Sequence, residues 1–514
     1  ASVMGGLRQR SLRDNNIPFQ KSYGQLKYNV NSLRCGTAGF TPAREPATLA
    51  VMFQTVELPL WLLVLILGFA VVTFASHFLF PSVRWFFRRR LERGVERLNQ
   101  RLARPIRPFK LARRHDMIQR LSYDTQVMAA VADHAAQHGV PESVAFERAQ
   151  RYAREIVPAF SAAAYFGFAI RAARFLSTKL YHLRIDEAQR DRIQAIDADA
   201  TVVFVMNHRS NMDYVLVTYL VASDSALSYA VGEWARIWPL RILIRAMGAY
   251  FIRRRSRDDL YRRVLARYVQ LATANGVTQA IFPEGGLSLD GRMAPPKLGL
   301  IHYITDGADL AARDIVFVPV AVNYDRVLED RILLEAGARG ERRFNANIGE
   351  ALAVSWRVLR RALRGQDHRF GMAGVGFGAP ISLRDMGPEP EALGQEVMRR
   401  IAAAMPILPV PLVAEALLTG PMSQSALLRH VTQRAETLRA GGAAVRLPQG
   451  RVPKLLDAAL TILLRRGIVV EGADGLWASA PEAGPILTYY ANSIRDAEQA
   501  LGLPACQVEE SAKT

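Results

Sequence analysis

Cysteine is scarce in this sequence: its 514 residues include only two, Cys35 and Cys506, near opposite ends of the chain. Two cysteines cannot build a disulfide framework or a metal-binding knuckle, and we expect the bulk of the chain to occupy a reducing compartment. Tandem repeats and low-complexity tracts are also missing. Because 50% of the residues are hydrophobic and 22% are charged, the composition indicates a globular protein, and the length requires more than one domain.

Acidic residues are outnumbered, with 47 Asp and Glu against 66 Lys and Arg and a formal net charge of +19. Such a balance requires an acidic partner, which can be nucleic acid, anionic lipid or a phosphorylated substrate. The arginines cluster after residue 80 and around residues 253–255, and no nucleic-acid-binding module is recognisable. We therefore expect anionic membrane lipids and no nucleic acid as partners. A basic, membrane-anchored nucleic-acid-binding protein is the remote alternative.

Residues 58–80 form an apolar run, LPLWLLVLILGFAVVTFASHFLF, without Asp, Glu, Lys or Arg. A helix of this length covers roughly 34 Å at about 1.5 Å per residue, enough for a bilayer core. Arginines follow at once, and by the positive-inside rule they predict that the rest of the chain is cytoplasmic. We predict a transmembrane helix in the inner (cytoplasmic) membrane, with a buried core helix or a cleaved signal sequence as the alternative.

The region before the apolar run, residues 1–57, is interpreted as an N-terminal extension. It is turn-rich, begins without Met and contains Met52, a candidate for the true start. We predict that it is either non-native or disordered and assign it no function.

The rest of the chain divides into three predicted regions. Residues 81–199 form a basic juxtamembrane and helical domain with a turn at 139–143. Residues 200–385 alternate short β-branched runs (TVVFVMN, QAIFPEG and IVFVPVAVN) with helical stretches, which predicts an α/β domain with a mixed, largely buried sheet and flanking helices. Residues 386–514 form a helical C-terminal domain, with a linker at Pro406, Pro409 and Pro411.

The stretch NHRSNMDY, residues 207–214, follows the first predicted strand directly. His208 therefore stands at a strand's carboxyl end, where α/β folds place ligands, and Ser210 can cap a helix that carries Asp213 in its first turn. This turn lets the Asp213 carboxylate fold back onto the imidazole, which leaves the other ring nitrogen to take a proton from an alcohol. The alternative interpretation is a capping aspartate beside an ordinary loop histidine.

Three further blocks follow along the chain. GAYFIRR ends in Arg253 and Arg254, whose guanidinium groups can grip a phosphate. FPEGG supplies the carboxylate of Glu284 and, at Gly285, a backbone that can approach a bound anion. VFVPV places Pro319 in a strand that shapes an apolar groove. Further candidates for substrate binding lie on the FPEGG loop: Ser288, Arg292 and Lys297.

In this order and spacing the blocks resemble those of the glycerolipid acyltransferases, which run H-x4-D, G-x-x-F-I-R-R, F-P-E-G-x-x-S and a closing strand with V-P-V. Three details are similar to the bacterial and mitochondrial glycerol-3-phosphate branch: HRSNMDY at residues 208–214, DLYR at residues 259–262 and LTYYANSI at residues 487–494. The resemblance covers about residues 116–500.

The resemblance implies an acyltransferase domain that esterifies the sn-1 hydroxyl of glycerol 3-phosphate from a fatty acyl thioester. The product is lysophosphatidic acid, in the first step of phospholipid synthesis. His208 and Asp213 are implied as the catalytic pair, and Pro319 as a border of the acyl-donor site. The residues implied to contact glycerol 3-phosphate are Arg253, Glu284, Gly285 and Ser288. The donor is acyl-CoA or acyl carrier protein, and no metal or organic cofactor is expected.

One departure from the branch concerns the acceptor. The branch commonly has E-G-x-R-S-R, whereas Leu287 and Leu289 flank Ser288 here. Arg292 or Arg254 can compensate for the missing arginines. Lysophosphatidate and dihydroxyacetone phosphate therefore stay open as acceptors on the same scaffold.

A third class of function uses His208, Asp213 and Glu284 as metal ligands of a hydrolase. It lacks a second histidine at useful spacing, and activity abolished by a chelator would revive it. The preferred acyl chain length and the oligomeric state are not fixed by the sequence.

Overall fold

A long helix, α1 (Leu60–Asn99), opens the part of the chain that the computed structural model describes. The described residues are 59–185, 187–221, 225–232, 240–253, 256, 258–340, 360, 364 and 370–504, and the predicted extension at residues 1–57 lies outside them. The chain forms two compact units, Ala1–Arg84 and Trp85–Thr514. Within the described ranges no helix combines the length and the apolar character that a membrane crossing requires. The transmembrane helix at residues 58–80 stays a prediction.

Residues 108–180 of the second unit form a series of helices joined by short connections. They are α2 (Pro108–Leu111), α3 (Arg114–Ser122), α4 (Thr125–His138), α5 (Glu142–Ile156), a π-helix (Ala163–Ala169) and α6 (Ile170–Leu180). Gly139 ends α4 in the left-handed conformation, with φ +62°, which glycine adopts without steric strain. The helices predicted on either side of the turn at residues 139–143 are therefore present.

An eight-stranded sheet occupies the centre of this unit, with the order β1-β7-β6-β2-β5-β3-β4 and β8 paired to β6. The strands are β1 (His182–Ile185), β2 (Thr201–Met206), β3 (Ser228–Val231), β4 (Tyr250–Phe251), β5 (Gln279–Ile281), β6 (Ile315–Tyr324), β7 (Met372–Phe377) and β8 (Ile381–Ser382). β2 is parallel to β5 and β6, whereas β6 is antiparallel to β7. Every residue of β2, β5 and β6 is buried, which explains why their sequences are mostly apolar. The predicted mixed, largely buried sheet is confirmed.

The parallel strands bring the predicted blocks to one edge of the sheet. β2, β5, β3 and β4 run in one direction, so their carboxyl ends share that edge. His208 follows β2, Glu284 follows β5 and Arg253 follows β4. The intervening helices are α7 (Glu187–Gln194), α8 (Met212–Leu220), α9 (Leu240–Ala246), α10 (Asp259–Ala274), α11 (Gly299–Thr305) and α12 (Asp330–Ala338).

The sheet starts earlier along the chain than residue 200, where the α/β domain was expected to begin. β1, with the sequence HLRI, pairs in parallel with β7. Its side chains are only partly buried or exposed, and its four residues show no β-branched run. A short strand of this kind carries too little apolar pattern to be recognised from sequence.

Pro319 lies inside β6, where its missing N–H would disrupt continuous pairing. β7 pairs with β6 from Val320 onward, and β8 pairs with Val316 and Phe317, so Pro319 sits where β6 changes partner. Its carbonyl accepts a hydrogen bond from the Gly378 N–H at 2.9 Å. The proline thus occupies a position that tolerates the loss of a donor.

The C-terminal region is helical, as predicted, with a small antiparallel sheet that was not predicted. The helices are α13 (Leu383–Met386), α14 (Pro390–Ala403), α15 (Pro409–Leu417), α16 (Gln424–Ala440), α17 (Val452–Arg465) and α18 (Gly484–Leu501). A 3-10 turn (Gln449–Arg451) precedes α17. The sheet has the order β10-β11-β9, with β9 (Met422–Ser423), β10 (Val469–Glu471) and β11 (Leu476–Ser479).

The linker expected at Pro406, Pro409 and Pro411 is wrong. α15 begins at Pro409, all of its residues are buried, and it packs against α18. Proline is well suited to the first turn of a helix, where a backbone N–H would have no intrahelical acceptor. The prolines here start a core helix instead of separating domains.

Gly376 of β7 offers a test of how closely the C-terminal region packs on the sheet. A Cβ at this position would lie 2.1 Å from the carbonyl oxygen of Ala404, a backbone atom that cannot rotate away. We expect Gly376→Ala to lower the free energy of unfolding by about 2–3 kcal/mol, because overpacking a core forces the backbone to shift. Denaturant unfolding measures this loss.

The matched control is Gly299→Ala in α11, where the added Cβ meets no heavy atom within 4 Å. Equal stability of the two variants would show that β7 and the segment at Ala404 do not approach each other as described.

Candidate active site

Asn207 fixes the point at which the chain leaves the sheet. Its side-chain amide donates to the Val322 carbonyl at 2.9 Å, and its Oδ1 accepts from the Val322 N–H at 2.8 Å. Both bonds are buried and join the end of β2 to β6. The position of His208, the next residue, is therefore set by the sheet.

His208 and Asp213 form a buried hydrogen-bonded pair. Nδ1 of His208 lies 2.9 Å from Oδ2 of Asp213, and the side chains are 2% and 0% exposed. The geometry follows from the local fold, because α8 begins at Met212 and places Asp213 in its first turn, beneath the end of β2. The predicted contact across five residues is thus formed.

The Asp213 carboxylate is held on both oxygens. Oδ2 also accepts the backbone N–H groups of Arg209 (2.8 Å) and Ser210 (3.1 Å), and Oδ1 accepts the Tyr324 hydroxyl at 2.7 Å. Burial raises the pKa of Tyr324, so this phenol stays protonated as a donor. All four groups around the carboxylate can donate to it, and a carboxylate that accepts from His208 requires the hydrogen of the pair to sit on Nδ1.

Two aromatic rings confine the imidazole. The Phe282 ring lies 4.2 Å from it at an angle of 31°, and the Tyr214 ring meets it edge-on at 5.4 Å. Among the described residues, the polar contacts of His208 run through Nδ1 and the backbone. The second ring nitrogen, Nε2, is the one available to a substrate.

Glu284 ties the loop after β5 to the loop after β2. Its Oε1 accepts the His208 N–H at 2.8 Å and its Oε2 accepts the Ala294 N–H at 2.9 Å. Burial raises the pKa of Glu284 to about 7, against the opposing effect of these hydrogen bonds. Both oxygens of Glu284 therefore accept hydrogen bonds from the protein backbone. The contact with the acceptor substrate that we predicted for Glu284 stays a prediction.

Ser288 shapes the same loop. Its N–H donates to the His208 carbonyl at 2.9 Å, and its hydroxyl donates to the Arg292 carbonyl at 2.7 Å and accepts the Gly291 N–H at 2.9 Å. Ser288, the serine of the F-P-E-G-x-x-S motif, thus closes a turn of this loop.

Gly285 and Lys297 lie against each other. Gly285 has φ +67°, and a Cβ there would lie 2.8 Å from both Cδ and Nζ of Lys297. The left-handed conformation favours glycine at this position, and a Cβ here would also displace the flexible lysine side chain. The arrangement brings an ammonium group to the backbone of the FPEGG loop.

Arg253, one of the predicted phosphate-binding residues, has protein partners. Arg253 forms a two-point ion pair with Glu155 at 2.8 and 2.6 Å, which raises the pKa of its guanidinium, and it stacks between Tyr152 and Tyr261 at 5.2 and 5.3 Å. β4, which precedes it, is three strands from β2, a lateral distance of about 14 Å. Arg254 lies outside the described residues.

Arg292 turns toward the C-terminal helix. Its Nε lies 3.2 Å from Oδ1 of Asp496, and its Nη2 donates to Gln499 at 3.2 Å. Pro319 is buried in β6, opposite Val205 of β2. The contacts of these two residues hold protein segments together.

Arg209, which follows the histidine, was not singled out from the sequence. Only 1% of it is exposed; its Nη2 donates to the Gly291 carbonyl, and its guanidinium lies 5.9 Å from the Tyr489 ring centre. Its Nη1 is buried and has no hydrogen-bond partner within the described parts of the chain. A buried cation directly beside His208 adds positive potential to the site.

Glu329 was also missed. It accepts the Ser210 hydroxyl at 2.8 Å and the backbone and side-chain N–H groups of Asn211 at 3.3 and 3.1 Å. These bonds hold the turn between His208 and α8. No sequence signal identifies Glu329, because it lies more than a hundred residues downstream of the turn.

The C-terminal helix α18 closes over the FPEGG loop. The Asn492 side chain donates to the Asp290 carbonyl at 2.8 Å, and Asp496 accepts the Met293 N–H at 2.9 Å. Gly291 lies so close to α18 that a Cβ on it would fall 1.9 Å from the Tyr489 carbonyl oxygen. The segment LTYYANSI thus contributes structure to the site.

Within the ranges described above, no group of three or more His, Cys, Asp and Glu side chains is placed to hold a metal ion.

Two family models match the chain. Residues 184–323 match the acyltransferase family, and residues 355–496 match the glycerol-3-phosphate acyltransferase C-terminal region. The chain therefore carries both domains, and the resemblance noted from its motifs is confirmed.

Similar curated proteins include the glycerol-3-phosphate acyltransferases of Pseudomonas putida, 29% identical over 75% of this chain and 49% of that protein, and of Xylella fastidiosa, 29% identical over 67% and 42%. The chain thus spans about half the length of the curated relatives that it matches. Among solved structures, the 1-acyl-sn-glycerophosphate acyltransferase of Thermotoga maritima is 16% identical with a TM-score of 0.28, covering 55% of this chain and 92% of that one.

The buried carboxyl of Glu329 makes folding stability depend on pH. Burial raises its pKa from 4.5 to about 7. The folded protein therefore binds the proton more tightly than the unfolded chain, and the stability from this group is complete below pH 4.5 and is lost as the pH rises toward 7. Glu329→Gln should remove about 2 kcal/mol of the fall in unfolding free energy between about pH 5 and pH 7.

Denaturant unfolding at the two pH values checks this, with Glu335→Gln on the exposed side of α12 as the control. An unchanged pH dependence in Glu329→Gln would show that the carboxyl is ionised in the folded protein.

Proposed function

Because this chain carries the acyltransferase domain and the C-terminal region of the glycerol-3-phosphate acyltransferases, we propose that it transfers a fatty acyl group from a thioester to the sn-1 hydroxyl of glycerol 3-phosphate. The product is lysophosphatidic acid. The observation that carries the proposal is the pair of His208 and Asp213, joined at 2.9 Å with Nε2 of the imidazole available.

In the proposed reaction the acceptor hydroxyl gives its proton to Nε2 of His208. The hydroxyl oxygen attacks the thioester carbonyl, and the carbon–sulfur bond then breaks as the imidazolium returns the proton to the leaving thiolate. Asp213 keeps Nδ1 protonated before the step and stabilises the imidazolium during it. A thioester has a good leaving group, so a positioned base supplies much of what alcoholysis needs.

The acceptor's phosphate requires cations near this pair. Leu287 and Leu289, which replace the arginines of the branch, are half-buried and pack against the core. We propose that Lys297, against the Gly285 backbone, and Arg253 bind the phosphate together. Glu155 occupies Nε and Nη2 of Arg253 and leaves Nη1 for a ligand. Arg292, paired to Asp496, serves to hold the loop.

We also propose that the protein works at the cytoplasmic face of the inner membrane. The apolar run at residues 58–80 and the arginines after it support this location, and so does the net charge of +19, which suits anionic lipid. The donor, acyl-CoA or acyl carrier protein, is a cytoplasmic thioester. Residues 200–385 are proposed as the catalytic region.

The acceptor is tested with washed membranes that carry the full chain. They are supplied with a labelled acyl donor and, side by side, glycerol 3-phosphate, lysophosphatidate or dihydroxyacetone phosphate. We expect glycerol 3-phosphate to be acylated fastest, with the label at the sn-1 position. Faster acylation of either other acceptor would assign the scaffold to that substrate.

The catalytic pair is tested by His208→Ala and Asp213→Asn. His208→Ala removes the base, and Asp213→Asn removes the charge that stabilises an imidazolium, so both should lower kcat by about 10²–10⁴-fold. The rate of acyl transfer is measured at equal protein in the membrane, with His302→Ala in α11 as a control at an exposed histidine. Turnover near that of the control in His208→Ala would end the proposed mechanism.

The phosphate contact is tested by Arg253→Lys. A lysine keeps the charge but cannot hold Glu155 at two points and bind a phosphate as well, so the KM for glycerol 3-phosphate should rise about 10- to 100-fold with the donor's KM unchanged. Arg262→Lys, an exposed arginine of α10, is the control. A raised donor KM with a normal acceptor KM would reverse the assignment of the two sites.

A further inference from the structure

An exposed face of mixed apolar and basic character lies outside the site. It is formed by the π-helix with α6 and by α9, and four of its large apolar side chains are open to solvent: Phe168 (59% exposed), Phe175 (56%), Ile242 (58%) and Leu243 (36%). Exposed arginines lie among them: Arg171, Arg174 and Arg241. We call this set the basic apolar face.

Phe168 and Phe175 lie outside the stripe that packs the π-helix and α6 onto the protein. Along the π-helix and α6, Tyr165, Ala169, Ala173 and Ser177 are buried and recur at every fourth position. That stripe already packs the segment onto the protein. A helix whose outer side contacts only water carries polar residues on that side. Exposed aromatic side chains there therefore indicate a surface that binds a partner.

The positive charge of the basic apolar face indicates an anionic partner. Residues 163–180 and 240–246 contain Arg and Lys but no Asp or Glu. The two segments adjoin, because α9 packs against the π-helix. Just before the π-helix, the N–H groups of Ala159 and Ser161 donate to the carbonyls of Arg245 and Ala246 at 3.2 and 2.9 Å. Aromatic and aliphatic side chains interleaved with arginines match an interface of acyl chains and anionic headgroups.

We propose that the basic apolar face docks the catalytic unit on an anionic lipid bilayer. Phe168, Phe175 and Ile242 would enter the headgroup region, and Arg171 and Arg174 would bind lipid phosphates. This contact is separate from the apolar run at residues 58–80. It orients the unit on the bilayer, whereas a single helix only tethers it.

The docking surface lies directly behind the candidate site. α6 packs against α8, the helix that begins with Met212 and carries Asp213. Packed helices are about 8–10 Å apart, so docking through α6 places the catalytic pair one helix layer from the lipid. This consequence rests on the proposed function: an acyltransferase so placed releases its lysophospholipid product beside the membrane that receives it.

The test places an environment-sensitive NBD label on the full chain in vesicles. Cys35 and Cys506 are replaced by serine, and the label is attached through Phe175→Cys. The control carries the label through Leu464→Cys, at an exposed position of α17. In vesicles of phosphatidylglycerol and phosphatidylcholine in equal parts, brominated acyl chains should quench the label at position 175 several-fold more than at position 464.

Adding Arg171→Glu and Arg174→Glu should shift the docked–undocked equilibrium at least about tenfold toward the undocked state, and high salt should act in the same direction. Equal quenching at positions 175 and 464 would overturn the proposal. A blue shift at position 175 that needs no vesicles and grows with protein concentration would also overturn it, because a second copy of the chain would then cover the face.

Acyl transfer measured on the same vesicles separates this proposal from the proposed function. Transfer to glycerol 3-phosphate without selective quenching at position 175 would refute docking alone. Selective quenching without transfer to any of the three acceptors would refute the proposed function alone.

Discussion

The Asp213 carboxylate receives hydrogen bonds from the His208 imidazole, from the backbone N–H groups of Arg209 and Ser210, and from the Tyr324 hydroxyl. These donors come from the turn after β2 and from the end of β6, so one buried anion joins the two central strands of the sheet to the first turn of α8. Burial without such partners would cost several kcal/mol. The same contacts that stabilise the anion set the tautomer and orientation of His208, and the chemistry proposed here depends on both.

Around this anion, several residues of the four sequence blocks bind other parts of the protein. Glu284 and Ser288 bind the backbone of their neighbours, and α18 clamps the FPEGG loop through Asn492 and Asp496. The C-terminal region therefore contacts the candidate site, although it lies far away in sequence. It fixes the loop that carries Gly285 and Lys297.

Sequence reasoning succeeded where the signal was local. The buried strands β2, β5 and β6 were recognisable as mostly apolar runs. The contact between His208 and Asp213 could be predicted because their spacing places them on either side of a turn from a strand into a helix. It failed where the signal was absent or distant. Tyr324 and Glu329 reach the site through tertiary contacts that no spacing encodes, and β1 is too short to show a pattern. Closely spaced prolines such as Pro409 and Pro411 are typical of a linker. Here they lie in the first turn of α15, which is stabilised by the burial of all its residues.

The tautomer of His208 shows whether Asp213 orients the imidazole for proton transfer. ¹⁵N magnetic resonance of histidine-labelled protein in lipid, with the signal assigned by its loss in His208→Ala, distinguishes a protonated from an unprotonated ring nitrogen. We expect the proton of the neutral ring to reside on Nδ1, facing Asp213, and Nε2 to be unprotonated. A neutral ring protonated on Nε2 would contradict it, since that nitrogen could not then accept the proton of an alcohol.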